Sequence, residues 1–381
     1  MSTREIRFGI IGGGMMGREF ASASARWCHL LDLDFAPKPV AVCDTSAAAL
    51  DWFARSIPGV AVTSNYEDLL GRSDIDAIYC AVPHHLHAEL YQAVIRAGKH
   101  LLGEKPFGID RDANRSILDA IEARRGVVVR CSSEFPFFPG AQRMLHFVRE
   151  GRFGRIIEVE AGFHHSSDLD PHKKINWKRR VAYNGEYGCM GDLGMHVLHI
   201  PLRFGWLPDR IFACLSNIVT SRPDEQGEQA PCETWDNATL AGEVPMDGYR
   251  FPVILSTKRI APGEMNTWFL RIFGTRFSAE FSTKLPKQIR TLPYASGQPQ
   301  AWHVADLGYE SCYPAVTGGI FEFGFPDAIL QMWAAFCDEL VNGRERMKQP
   351  FYCVTPEETA LSHRVLTSAL ESQRKGTAVD V

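Results

Sequence analysis

"RFGIIGGGMMG", residues 7–17, runs an apolar stretch into a cluster of glycines, and the helix-like "REFASASARW" follows it. Gly12-x-Gly14-x-x-Gly17 is a weak signal alone; a strand before it and a helix after it make it a dinucleotide-binding turn. Gly12 permits the tight turn, Gly14 lets a pyrophosphate approach the backbone, and Gly17 lets the helix pack on the strand. Met15 and Met16 then open the helix, where free N–H groups and the macrodipole favour an anion. A glycine turn without a ligand is the plain alternative.

Working outward, "PVAVCD" (39–44) is a second apolar strand ending in Asp44. A carboxylate there can accept both ribose hydroxyls of NAD and repel the 2′-phosphate of NADP, and neither Thr45 nor Ser46 supplies an arginine. The interval from Gly17 is long, which points to an insertion around "CHLLDLDFAPK". Asp44 can also cap a helix over 46–56, and both roles can hold together. "IDAIYCAV", "HAELYQAVIRAG", "KHLLGEK", "RDANRSILDAIEARR" and "VVVRC" continue the strand–helix alternation. The fold class expected is α/β, a doubly wound parallel sheet with ligands at the carboxyl ends of its strands. Two of those ends carry chemistry: "AVPHHLH" (81–87) and "GEKPFG" (103–108).

The chain has 381 residues, more than the roughly 250–300 that one core supports, so two domains are expected, 1–133 and 134–381. A net charge of −4 gives no general attraction to nucleic acid or an anionic membrane. No apolar run reaches the ~18 residues of a membrane helix, and no signal-peptide pattern precedes the glycine loop. Ten cysteines without a CxxC pair read as buried thiols of a reducing, cytoplasmic compartment.

The second half changes pattern. "PGAQRMLHFVREGRFG" reads as a helix, and "RIIEVEAGFHH" as a strand with Ala161, Phe163 and His165 on one face. After a helix over 190–204, the strand-like runs "RIFACLSNIV", "CETWDNATLAGEV", "FPVILSTKRI", "TWFLRIFG" and "RFSAEFS" follow one another without helices. They predict an α+β domain with an open, mainly antiparallel sheet covered on one face. "FPDAILQMWAAFCDELV" and "TPEETALSHRVLTSALES" are helices, the latter opened by Thr355, Pro356 and a capping-box Glu358.

In "GCMGDLGMHVLHI" (188–200), Asp192, His196 and His199 share one helix face. Three metal ligands would crowd one side of a helix, and no HExxH pattern occurs, so no metal is expected. Proton transfer suits Asp192 and His196 better; Asp192 can also be a plain cap, and His199 a core histidine with a backbone partner.

"GIIGGGMMG", Asp44, "VPHHLHAE", "GEKPFG" and "GDLGMHVLHI" together resemble the Gfo/Idh/MocA family, the glucose–fructose oxidoreductase and inositol dehydrogenase group. The resemblance implies oxidation of a hydroxyl on a sugar or cyclitol with NAD, through Lys105, Asp192 and His196. Lys105 would hold the reacting oxygen and His196 would take its proton. It also implies that Pro83, His84, His87, Glu104 and Lys105 border the cofactor, and that His165 and the Trp177-Lys178 pair lie near substrate. A homodimer or homotetramer through the open sheet is implied as well. The chain departs from the family at His84, where asparagine is usual, and at "SSEFPFFPG" (132–140), which carries no arginine.

The stretch "HKKINWKRR" (172–180) is unexpectedly basic. It reads either as a solvated loop or as recognition of an anionic sugar, with Lys173, Trp177 and Lys178 contacting substrate. Two other functions stand against a dehydrogenase. One is an NAD-dependent, redox-neutral glycosidase, for example on a sulfonated sugar glycoside; the other is an NAD-sensing binding protein without catalysis.

Overall fold

The computed structural model describes residues 3–308, 311–318 and 321–381. Strand β1 (Arg4–Ile11) buries Phe8, Ile10 and Ile11, the run of consecutive apolar side chains that a strand covered on both faces requires. Around it lie β2 (Phe35–Cys43), β3 (Ala61–Thr63), β4 (Ala77–Cys80), β5 (His100–Gly103) and β6 (Val129–Cys131). They form a parallel six-stranded sheet in the order β3-β2-β1-β4-β5-β6. Helices α1 (Met15–Ala25), α2 (Ala47–Ser56), α3 (Tyr66–Leu70), α4 (His87–Arg96) and α5 (Arg111–Ala123) make the crossovers. The strand order reverses between β1 and β4, so the glycine loop and residues 81–87 flank the crevice where doubly wound sheets take ligands. The suspected insertion before Asp44 is partly strand: β2 begins at Phe35, whose carbonyl accepts the Trp27 indole N–H at 2.7 Å.

The second sheet follows α6 (Pro139–Arg149). Its strands are β7 (Ile156–His165), β8 (Arg210–Ser216), β11 (Asn237–Met246), β12 (Tyr249–Lys258), β13 (Met265–Gly274), β14 (Phe277–Ser282), β15 (Gln288–Pro293), β16 (His303–Asp306) and β17 (Val379–Asp380). The short strands β9 (Ser221–Pro223) and β10 (Gln229–Pro231) pair with each other. The nine-stranded order is β16-β15-β14-β13-β7-β12-β11-β8-β17, antiparallel except for the parallel pair β7–β12. That pair arises because β7, first in the chain, takes a central place between β12 and β13. Between β7 and β8 come the short α7 (Val181–Asn184) and α8 (Cys189–Arg203), which lies on β7 and β12. Val159, Ala161 and Phe163 of β7 and Trp268, Leu270 and Ile272 of β13 are buried on the covered face. On the other face Arg271 bridges Glu160 at 3.0 Å and Glu280 at 2.7 Å.

The chain then returns. Residues Ser311–Pro356 pack with Met1–Phe137 as one unit, and Phe138–Glu310 with Glu357–Val381 as the other. The expected consecutive division at 133/134 therefore gives way to a discontinuous one. The cause is α9 (Phe325–Asn342), which buries every residue from Ala328 to Glu339. A helix apolar nearly all round needs cover on several sides, and Trp333 finds it against Phe20 at 3.8 Å, Tyr79 at 4.9 Å and Phe8 at 5.3 Å between ring centres. Arg130 of β6 forms an ion pair with Glu339. Helix α10 (Pro356–Lys375) follows, and its Glu358 carboxylate takes the Arg203 guanidinium at 2.5 and 3.0 Å. No disulfide joins the ten cysteines, of which eight are buried, with Cys28 and Cys214 exposed.

Trp333→Ala empties the centre of the first unit and should cost about 3–5 kcal/mol. Urea unfolding should show a lower midpoint; a change under about 1 kcal/mol would show that α9 is not part of this core.

Candidate functional site

At Gly12 the backbone has φ +101°, and an added Cβ would collide with the Ala81 carbonyl; at Gly17 it would collide with the Gly12 carbonyl. Gly14, by contrast, is exposed with open space where a side chain would stand. It is the N-cap of α1 and provides no side-chain cap, so the first N–H groups of the helix face Met15, Met16 and whatever approaches Gly14. This is a backbone cradle that a pyrophosphate fits. Asp44, at the end of β2, accepts the Gly13 N–H at 2.6 Å and the Ser46 N–H at 2.7 Å, one on each oxygen. Ser46, not Asp44, caps α2 by accepting the Ala49 N–H at 3.3 Å. Each Asp44 oxygen retains a second lone pair for a ribose hydroxyl.

After β4, Pro83 leads into a short turn at His84–Leu86. His84 and His87 are buried. His87 donates from Nε2 to the Val82 carbonyl at 3.1 Å, and its Nδ1 accepts the Gly108 N–H at 3.5 Å. Its ring stacks on Tyr91 at 4.7 Å. His87 thus braces two loops with both ring nitrogens. After β5, Tyr91 donates to the Glu104 carbonyl at 2.8 Å and Tyr79 to the Glu104 carboxylate at 2.7 Å. Lys105 is partly exposed, and the Lys105–Pro106 peptide is cis.

A carboxyl group that the motifs did not single out lies beside them. The Ser132 N–H bonds the Gly103 carbonyl at 2.9 Å, which sets 132–134 alongside 103–105. Glu134 is buried there. Burial, and then the charge of Glu104, pushes its carboxyl up to about 8, with Lys105 opposing.

In the second unit α8 is buried from Cys189 to Leu202. Asp192 accepts Lys178 Nζ on both oxygens, at 2.9 and 3.0 Å, and also Arg259 Nη1. Arg259 Nε reaches Asp168 at 3.0 Å, and Arg222 Nη1 stands 3.7 Å from the same carboxylate. Burial opposes ionisation of Asp168; Arg259, Arg222 and Arg179 outweigh it and hold the carboxyl below its usual range. Asp192 is therefore a fixed anion between cations. Arg259 and Asp168 escaped sequence reasoning because nothing local marks them. One turn on, His196 is buried with its carbonyl accepting the Trp268 indole N–H at 2.9 Å. The Phe163 ring lies 5.4 Å from that of His196 and 4.7 Å from that of His165. His199 Nε2 lies 2.9 Å from Arg203 Nη2. The three-residue face thus divides, with Asp192 and His196 apart from a core His199.

The basic stretch is divided between surface and fold, with His172, Lys173, Lys174 and Arg180 exposed. Lys173 bonds the Ser167 carbonyl at 3.1 Å, Lys174 pairs with Glu225 at 2.7 Å, and Lys178 holds Asp192. Arg179 is fully buried, with Asn217 Oδ1 and the Val219 carbonyl at 2.8 Å and Asp236 at 3.1 Å. Trp177 presents its ring 5.6 Å from Lys178 Nζ. Lys174, Lys178 and Arg179 thus have counter-charges within their own unit.

A parallel doubly wound sheet with a glycine turn and an acidic residue ending its second strand defines a dinucleotide-binding unit. Residues 6–132 match the Gfo/Idh/MocA model, an oxidoreductase family with an NAD-binding Rossmann fold. Levoglucosan dehydrogenase of Pseudarthrobacter phenanthrenivorans is 25% identical over 229 residues, 59% of this chain and 57% of that one. The 1,5-anhydro-D-fructose reductase of Ensifer adhaerens is 33% identical over 192 residues, 50% of this chain and 54% of the relative. The chain thus spans little more than half the length of these relatives. In fold, levoglucosan dehydrogenase in complex with NADH and levoglucosan superposes with a TM-score of 0.87 at 21% identity, over 99% of this chain and 100% of that one.

Arg179→Met leaves Asp236 buried without its cation and should cost about 3–5 kcal/mol, whereas Lys174→Met, on the surface, should cost under about 1. Equal urea midpoints for the two variants would show that Arg179 is not structural.

Proposed function

We propose that the protein is an NAD-dependent dehydrogenase that oxidises a hydroxyl carbon of an uncharged sugar or cyclitol. The observation that carries this reading is the placement of the Gly12–Gly17 cradle, Asp44 and Lys105 at the carboxyl edge of one parallel sheet. NAD held on the cradle supplies the hydride acceptor. Lys105 holds the reacting oxygen and stabilises the charge developing on it. His196 takes the hydroxyl proton, and Asp192, with Lys178 and Arg259 fixed on it, keeps a set charge one helical turn away. His165 and Trp177 offer ring surfaces to a sugar, and Lys173, exposed, offers it a hydrogen-bond donor. Relatives named for levoglucosan and 1,5-anhydro-D-fructose support a sugar substrate. An uncharged sugar is preferred because three cations of the basic stretch, Lys174, Lys178 and Arg179, are already paired with carboxylates.

The same reading places the protein in the cytoplasm; among the described residues no helix is long and apolar enough to cross a membrane. It also makes the protein a homodimer or homotetramer through the uncovered face of the nine-stranded sheet, with no nucleic-acid partner.

Lys105→Ala should lower turnover by about 10²–10³-fold while leaving NADH affinity within a few-fold. Near-normal turnover would remove Lys105 from the reaction. Asp44→Ala should narrow or invert a preference for NAD over NADP, read by calorimetry; equal affinity of the wild type for both would refute the role of Asp44. With uncharged sugars and NAD, NADH absorbance should grow in proportion to product. Steady aglycone release from a glycoside, dependent on NAD but without NADH accumulation, would instead make the protein a glycosidase.

A further inference from the structure

The carboxyl ends of β5 and β6 place two buried carboxyl groups and one lysine together. Glu104 follows β5 directly and has its carboxylate fixed by Tyr79 at 2.7 Å. Glu134 follows β6, held beside the β5 end by the Ser132–Gly103 backbone bond of 2.9 Å. Both glutamates are more than nine-tenths buried, whereas Lys105 between them is partly exposed. Among the described groups, the Tyr79 phenol and the Cys131 thiol also sense Glu134, both buried and both pushed well above their ordinary values, first by burial. The Ser132 hydroxyl, wholly buried on the same strand end, has no hydrogen-bond partner among the described residues. Two ionised carboxylates so confined would repel each other, and one lysine cannot neutralise both. Sites of this kind separate their two acids into one that keeps its proton and one that does not.

We propose that Glu134 is a positioning residue that acts through Lys105 in its neutral, carboxylic acid form. Of the two carboxyl groups only Glu104 is then ionised, and the lysine charge is not drawn towards Glu134 and away from the reacting oxygen. Ionisation of Glu134 adds a second anion to the cluster and draws the Lys105 ammonium away from that oxygen. This rests on the dehydrogenase reading for what Lys105 does, but the coupling of Glu134 to Lys105 stands apart from it. Glu134 departs from its ordinary range because of burial and then Glu104, and its proton leaves as pH rises through about 8.

The test uses Glu134→Gln, which keeps the shape of the neutral acid and cannot ionise. In full-length protein with ¹³C-methylated lysines, the Lys105 resonance is identified by its loss in Lys105→Arg. In the wild type it should show an inflection near pH 8, and in Glu134→Gln it should not. With substrate, the ratio of Glu134→Gln to wild-type turnover should rise about fivefold between pH 8 and 9, as a single ionisation silences the wild type. An inflection that persists in Glu134→Gln, or none in the wild type, overturns the proposal, as does a flat turnover ratio. If Glu134→Gln does not fold, the wild-type resonance decides alone. A wild type that oxidises no sugar defeats the dehydrogenase reading, and the Lys105 resonance still decides this one.

Discussion

The carboxyl edge of the parallel sheet depends on room left by two missing side chains. Gly12 turns where any Cβ would strike the Ala81 carbonyl, and Gly17 packs where any Cβ would strike the Gly12 carbonyl. Because β1 and β4 are hydrogen-bonded neighbours, this contact sets the glycine loop against the end of β4. The next strand end is tied in turn: Glu104 N–H bonds the Cys80 carbonyl at 3.0 Å, and Ser132 N–H bonds Gly103 at 2.9 Å. The position of Lys105 is thus fixed by backbone, one strand after another. A side chain needed for chemistry is placed best when its own main chain has no freedom left.

The second unit solves a different problem, how to bury charge. Lys178, Asp192, Arg259, Asp168 and Arg222 alternate in sign along one chain of contacts. Such a chain contributes little net stability over apolar packing, but removing one member leaves its neighbours uncompensated. Its value is therefore geometric. Asp192 has its oxygens taken up by two cations, so its position on α8 is settled, and His196 follows on the next turn with its carbonyl fixed by Trp268.

The first sheet was legible because its signals are local. Apolar runs, glycine spacing and the residues just past strand ends lie within a few positions of each other, and five of the six strands stand where those patterns put them; the short β3, with no buried residue, carries no such signal. The long antiparallel strands were legible for the same reason. The exposed β16, from His303 to Asp306, has no inward face to betray it. Part of the basic stretch has counter-charges that no local pattern shows: Asp192 lies 14 residues from Lys178 and Asp236 lies 57 from Arg179. Charge density reads as solvation or recognition only while the partners are unseen. Glu134 was passed over since "SSEFPFFPG" drew attention only for the arginine it lacks. Asp44 lost its alternative role to Ser46, two residues on, a choice that only cap geometry makes.

The return of residues 311–356 to the first unit has a consequence for synthesis. A ribosome makes the chain from its N-terminus, and domains ordinarily close as soon as their last residue emerges. Here the nucleotide-binding sheet is complete by Cys131, yet Trp333, which covers Phe8, Phe20 and Tyr79, is made some two hundred residues later. Through most of translation those aromatic side chains lack their lid, and the nascent sheet offers a sticky apolar surface to chaperones or to neighbouring chains. Two units that look independent by sequence are thereby born nearly together, and a ribosome stalled between them would release a fragment without a finished core.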